Sequence, residues 1–132
     1  LRRQFETNVF GWQELTNLLI PIMRQQGYGR IIQNSSVLGI VSMRLRGAYN
    51  ASKYAIEGLS DTLRLELKGS GIYVSLIEPG PITSDFRKNA LVQLRENIDY
   101  ENSIHSETYK GTIKKLETEG PVVPFTLPPE AV

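Results

Sequence analysis

From Leu1 to about Gln26, apolar residues recur at Phe5, Val9, Trp12, Leu15, Leu19 and Ile22, three and four positions apart, which predicts an amphipathic helix facing a core. Gly27-Tyr28-Gly29 ends it. Arg30 to Ser35 then reads as a short strand, β-branched at its centre and polar at its end. After a loop through Gly39 to Gly47, a second helix is predicted from Ala48 to about Lys68, with Ala51, Ala55, Leu59, Leu63 and Leu67 as its apolar stripe and Glu57, Asp61, Arg64 and Lys68 largely elsewhere. Gly69-Ser70-Gly71 stops that helix. Ile72 to Ile77 has the continuous apolar character of a buried parallel strand, closed by Pro79-Gly80-Pro81.

Helix, strand, helix, strand in this order predicts an α/β fold with parallel strands joined by right-handed crossovers. Active sites in such sheets lie beyond the carboxyl ends of the strands, where Ser35-Ser36 and Pro79-Gly80 both fall. The stretch from Ile82 to Pro124 is more polar. It carries helical patterns at Asp85 to Asn97 and Ser106 to Glu117, ends in a proline-spaced loop, and reads as a mobile lid. Leu1 to Thr7 reads as a helix already under way, and Leu127 to Val132 as the opening of another, so the expectation is one partial domain cut at both ends.

Charge adds little. Fifteen basic and fourteen acidic residues leave a formal charge of +1, dispersed along the chain, which gives no reason to propose nucleic acid as a partner. The longest apolar stretch, Leu18 to Met23, is too short to span a membrane. Zero cysteines exclude disulfides and thiolate metal sites and are compatible with a reducing compartment without proving one, and the cytoplasm is the default expected location. His105, the single histidine, has no metal-ligand or triad spacing around it and is expected to be an ordinary residue of the lid.

The chemistry concentrates in Tyr49-Asn50-Ala51-Ser52-Lys53, with Ser36 thirteen residues upstream. A phenol near pKa 10 is a poor proton donor or acceptor at neutral pH, and an ammonium fixed a few ångströms away favours its anion. One helical turn supplies that placement, because residues i and i+4 share a face. Tyr54 is turned about 100° from Lys53 and is expected to pack. Ser35 is the expected turn or cap serine of the pair.

Four elements in order, Thr7-Asn8-Val9-Phe10-Gly11, Asn34 to Gly39, Tyr49 to Lys53 and Pro79 to Ser84, resemble the C-terminal half of the Rossmann-type domain of the short-chain dehydrogenase/reductase family. The fold this implies is an incomplete, doubly wound parallel sheet, with residues 1–80 as half of the catalytic core and 81–132 as a helical substrate lid leading into a further helix. The resemblance implies NAD(P)-dependent interconversion of a carbonyl and an alcohol. Tyr49 would be the acid and base, Lys53 would hold the nicotinamide ribose, Ser36 would bind the substrate oxygen, and Asn8 would hold a water that passes protons from Lys53. Pro79 and Gly80 would let backbone approach the cofactor, with Ile82 and Ser84 contacting its nicotinamide end.

The family's glycine-rich phosphate loop, and the residue that selects NAD or NADP, are not in this sequence. The resemblance therefore implies either cofactor, and the 132 residues alone are expected to be inactive. Gly80 to Phe86 and the long lid resemble the branch containing hydroxysteroid and retinol dehydrogenases, some members of which carry a membrane anchor. Family members commonly pair the two long helices with those of a second subunit, which implies a homo-oligomer. The competing expectation is a truncated, non-enzymatic relic whose helices only mediate association.

Overall fold

The computed structural model describes residues 1–118, 120 and 123–132, and the chain forms two compact units, Leu1–Gly80 and Pro81–Val132. In the first unit, α1 (Arg2–Phe5) runs through a wide π turn at Glu6–Phe10 into α2 (Gly11–Gln26). Glu6 and Gly11 both keep right-handed helical dihedrals, so the three pieces form one helical run with a register change inside it. Gly27 ends the run at φ 72°, a left-handed value that only glycine reaches at no steric cost.

Strand β1 (Gly29–Asn34) follows, then a 3₁₀ turn at Val37–Gly39, helix α3 (Gly47–Glu66) and strand β2 (Ile72–Ile77). The strands pair in parallel, from Gly29 opposite Ile72 to Asn34 opposite Ile77. Two parallel strands need a crossover, and α3 supplies it. The core lies on one face of this sheet: Ile31, Ile72 and Val74 from the strands meet Leu63 and Leu67 from α3, with Ile20 and Met23 from α2 packed against them.

The helix faces differ from the apolar pattern. On α2 the residues turned inward are Thr16, Ile20 and Met23, while Trp12, Leu15, Leu19 and Ile22 are exposed. Thr16 is buried because its hydroxyl accepts from the buried Gln33 amide at 3.2 Å, which satisfies both groups. On α3 the buried line is Ser52, Ile56, Ser60, Leu63 and Leu67 rather than the alanines and Leu59. Tyr54 is exposed rather than packed. Strand β2 alternates in burial instead of being buried throughout: Ile72 and Val74 face the core, while Tyr73 is exposed and has the Arg30 guanidinium 5.8 Å from its ring centroid.

In the second unit, α4 (Phe86–Asn97) packs on α5 (Ser106–Glu117), and Arg95 pairs with Glu117 across them. Ile82 bridges to Leu127, the Thr83 amide donating to the Leu127 carbonyl at 2.9 Å, and the chain closes on a 3₁₀ turn at Pro129–Ala131. Part of the loop expected up to Pro124 lies outside the described residues.

Leu67 is 3% exposed at the centre of the first core. Leu67→Ala is predicted to cost about 2–5 kcal/mol in urea unfolding. Glu66→Ala, on the exposed side of the same turn, should stay within about 0.5 kcal/mol, and equal effects would contradict the assigned face.

Candidate active site

Both strands deliver their carboxyl ends to the same edge, and the backbone pairing continues past them. The Ser35 amide donates to the Ile77 carbonyl at 2.8 Å and the Val37 amide to the Pro79 carbonyl at 3.1 Å. Ser36 is buried at this junction. Its hydroxyl accepts from the Leu38 amide at 3.1 Å, capping the 3₁₀ turn, and lies 3.5 Å from the Pro79 carbonyl. Ser36, not Ser35, is thus the capping serine. Ser35 instead donates its hydroxyl to the Glu57 carboxylate on α3.

Tyr49 stands in the first turn of α3 and Lys53 one turn later. The Lys53 ammonium lies 5.6 Å from the Tyr49 ring centroid and donates to the Asn34 carbonyl at 2.7 Å. That bond ties the helix to the last residue of β1. Burial holds the Lys53 pKa below its ordinary 10.5, with Glu57 acting in the opposite sense. Burial likewise holds Arg46 below its ordinary value, and its attraction to Tyr49 opposes the shift. Lys53 therefore stands beside Tyr49, and Arg46 is electrostatically attracted to it.

Asn8 sits in the π turn, and its side-chain amide donates to the Ser52 hydroxyl at 3.1 Å. Ser52 is fully buried and donates in turn to the Tyr49 carbonyl at 2.8 Å. Asn8 thus reaches α3 through Ser52, its side-chain partner being that serine rather than Lys53. Gly80 is exposed, with open space where a side chain would project. In the second unit, the Ser84 hydroxyl accepts from the Phe86 amide at 3.3 Å at the start of α4, and Ile82 is held in its bridge with Leu127. Ser84 lines a groove of about 440 Å³ together with Arg87, Lys88, Leu91 and Arg95. His105 is exposed ahead of α5, and among the described residues no cluster of three or more His, Cys, Asp or Glu could hold a metal. No described helix is long and apolar enough to cross a membrane.

Sequence reasoning missed Arg46, Ser52 and Glu57. The signal for Glu57 was present, since Tyr49, Lys53 and Glu57 recur at four-residue intervals along one helix face.

This geometry is that of a Rossmann-type α/β domain with its polar cluster at the strand ends, and the family model for short chain dehydrogenases matches residues 1–94. The chain belongs to the short-chain dehydrogenase/reductase family. It is 46% identical over 132 residues to the uncharacterized oxidoreductase YbbO of Escherichia coli (strain K12), covering all of this chain and 43% of that protein. It is 35% identical over 94 residues to human retinol dehydrogenase 8, covering 71% of this chain and 30% of that protein. Among solved structures, an NAD⁺-bound xylitol dehydrogenase superposes with a TM-score of 0.60 at 30% identity, over 70% of this chain and 36% of that one. The chain thus spans less than half the length of these relatives.

A lysine whose pKa is lowered on folding gives up its proton in the folded chain first. Between that lowered value and 10.5 the unfolded chain holds more proton, so the stability contributed by Lys53 rises with pH through this window, and below it the charged group is a constant cost. Lys53→Met is predicted to flatten that rise in urea unfolding followed as the pH approaches 10.5. An unchanged slope would contradict the assignment.

Proposed function

We propose that the polypeptide bearing this chain is an NAD(P)-dependent oxidoreductase that interconverts a small-molecule ketone or aldehyde with the corresponding alcohol. The observation that carries this reading is the bond from the Lys53 ammonium to the Asn34 carbonyl, which sets Tyr49 and Lys53 at the carboxyl end of β1, beside the turn that holds Ser36. Identity to named dehydrogenases and oxidoreductases supports the reaction class.

Tyr49 is the acid in carbonyl reduction and the base in alcohol oxidation, its hydroxyl moving a proton to or from the substrate oxygen. The Lys53 ammonium stands beside the Tyr49 ring, 5.6 Å from its centroid. Ser36 donates a hydrogen bond to the charge that develops on the substrate oxygen. Ser52 fixes the first turn of α3 through the Tyr49 carbonyl and holds the Asn8 amide, tying the π turn to the start of α3.

The residues fit a nicotinamide cofactor. An ammonium carries three N–H donors, and with one directed at the Asn34 carbonyl, Lys53 keeps donors for the ribose hydroxyls. Pro79, Gly80, Ile82 and Ser84 would hold the nicotinamide end, and the bound cofactor would supply the hydride. NAD and NADP fit these residues equally. The 132 residues alone lack the phosphate loop, so activity is assigned to the whole encoded polypeptide, with 81–132 as its substrate lid and the cytoplasm as its location. The exposed row Trp12, Leu15, Leu19 and Ile22 supports a homo-oligomer joined through α2.

In the whole polypeptide, Tyr49→Phe is predicted to lower kcat/KM for cofactor-dependent carbonyl reduction by about 10²–10⁴-fold, with folding unchanged. Full turnover in that variant would overturn the mechanism. A wild-type protein that neither binds NAD(P)H nor reduces any carbonyl would favour an association module of the same origin.

A further inference from the structure

Glu57 has no place in the mechanism above, yet it joins the two segments on which that mechanism depends. Its simplest role would be an i,i+4 ion pair with Lys53 on an open helix face. The geometry speaks against that. The Lys53 ammonium is directed at the Asn34 carbonyl, the ion pairs formed within 4 Å among the described residues do not include Lys53 with Glu57, and the Glu57 carboxylate takes the hydroxyl hydrogen of Ser35.

Three observations converge on this contact. Ser35 is 3% exposed and directly precedes Ser36, so whatever holds Ser35 sets where Ser36 begins. Lys53 and Glu57 lie one turn apart on α3 and grip successive residues of the chain leaving β1, Asn34 by its carbonyl and Ser35 by its hydroxyl. The turn also folds back onto the pair. A Cβ added at Gly39 would stand 2.7 Å from the Glu57 carboxylate oxygen and 2.8 Å from the Ser35 hydroxyl, closer than side-chain atoms pack, so glycine is needed there for the contact to close.

We propose that Glu57 is a positioning residue: by accepting the Ser35 hydroxyl it clamps the turn bearing Ser36 onto the helix bearing Tyr49 and Lys53. The proposal rests on the reading of those three residues given above. The Ser36 hydroxyl accepts from the Leu38 amide and reaches only the Pro79 carbonyl, at 3.5 Å, rather than α3, so its distance from Tyr49 is set by its neighbours. The same carboxylate also keeps a negative charge one turn from Lys53, opposing the burial that favours loss of its proton.

The test is steady-state kinetics on the whole encoded polypeptide with NAD(P)H and a carbonyl substrate that the wild type reduces. Glu57→Ala and Ser35→Ala are each expected to lower kcat by about tenfold to a hundredfold, as a misplaced catalytic group does. The cofactor KM should stay within about twofold, which general unfolding would not produce. The double variant should be no slower than the slower single one, because both remove one contact. Glu57→Gln keeps an acceptor for Ser35 and should restore kcat to within about threefold of wild type. Wild-type kcat in Glu57→Ala, multiplicative losses in the double variant, or no rescue by glutamine would each overturn the proposal. Should Glu57→Ala not fold, Gly39→Ala decides, since it keeps both residues and requires their contact to shift. The same loss of kcat supports the clamp and unchanged kcat refutes it. A wild type inactive toward every carbonyl would instead refute the reading on which the clamp rests.

Discussion

The backbone ladder between the two parallel strands does not stop where the strands do, and the site depends on that continuation. Parallel strands leave a sheet at the same edge, so whatever follows each one is brought to a common place. Here Ser35 pairs with Ile77 and Val37 with Pro79, which fixes the turn after β1 against the turn after β2 before any side chain is considered. The Ser36 hydroxyl then has two backbone partners within reach, and α3 docks onto the same turn through Lys53 and Glu57.

Helix α3 gives up local stability for this arrangement. Positive charge is disfavoured at a helix N-terminus, yet Arg46 stands at the N-cap position, Lys53 lies in the second turn, the first turn holds no acid, and no side chain caps it. Both cations are also partly desolvated, which lowers their pKa values. Such a start is poor for a helix and well suited to holding cations around a phenol. Compensation comes from polar contacts further along: Ser52 bonds the Tyr49 carbonyl, and Asn50 donates to the Met43 carbonyl at 3.0 Å. Local preference is set against the placement of these cations, and polar contacts elsewhere in the fold support it.

The elements were legible because their periodicities are strong. Ile72–Ile77 and Ser106–Glu117 have the bounds read from the sequence, and Tyr49 with Lys53 needed only the pitch of a helix. The faces were less so. Apolar counting favoured Trp12, Leu15 and Leu19 on α2, whereas Thr16 is buried because Gln33 satisfies it from a strand 17 residues away, a pairing no local window contains. Ser52 displaced the alanines on α3 for a related reason: a small hydroxyl bonded internally can be buried as completely as a methyl group. Ser35 and Ser36 are identical neighbours, so only the Glu57 carboxylate on one side and the Leu38 amide on the other separate their roles. The π turn at Glu6–Phe10 left no trace in the spacing, although it places Asn8 opposite Ser52.

Strand β2 shows how a sequence reading and a structure can differ and both be informative. Its residues are apolar on both faces, the composition of a parallel strand covered on two sides, yet only Ile72 and Val74 meet a helical layer among the described residues. Tyr73 and Ile77 on the other face, with Ile32 of β1 beside them, are exposed. Parallel sheets usually have both faces covered, and this exposed apolar face departs from that pattern. The row on α2 is a separate matter: Trp12, Leu15, Leu19 and Ile22 belong to a helix whose opposite side already packs on the sheet.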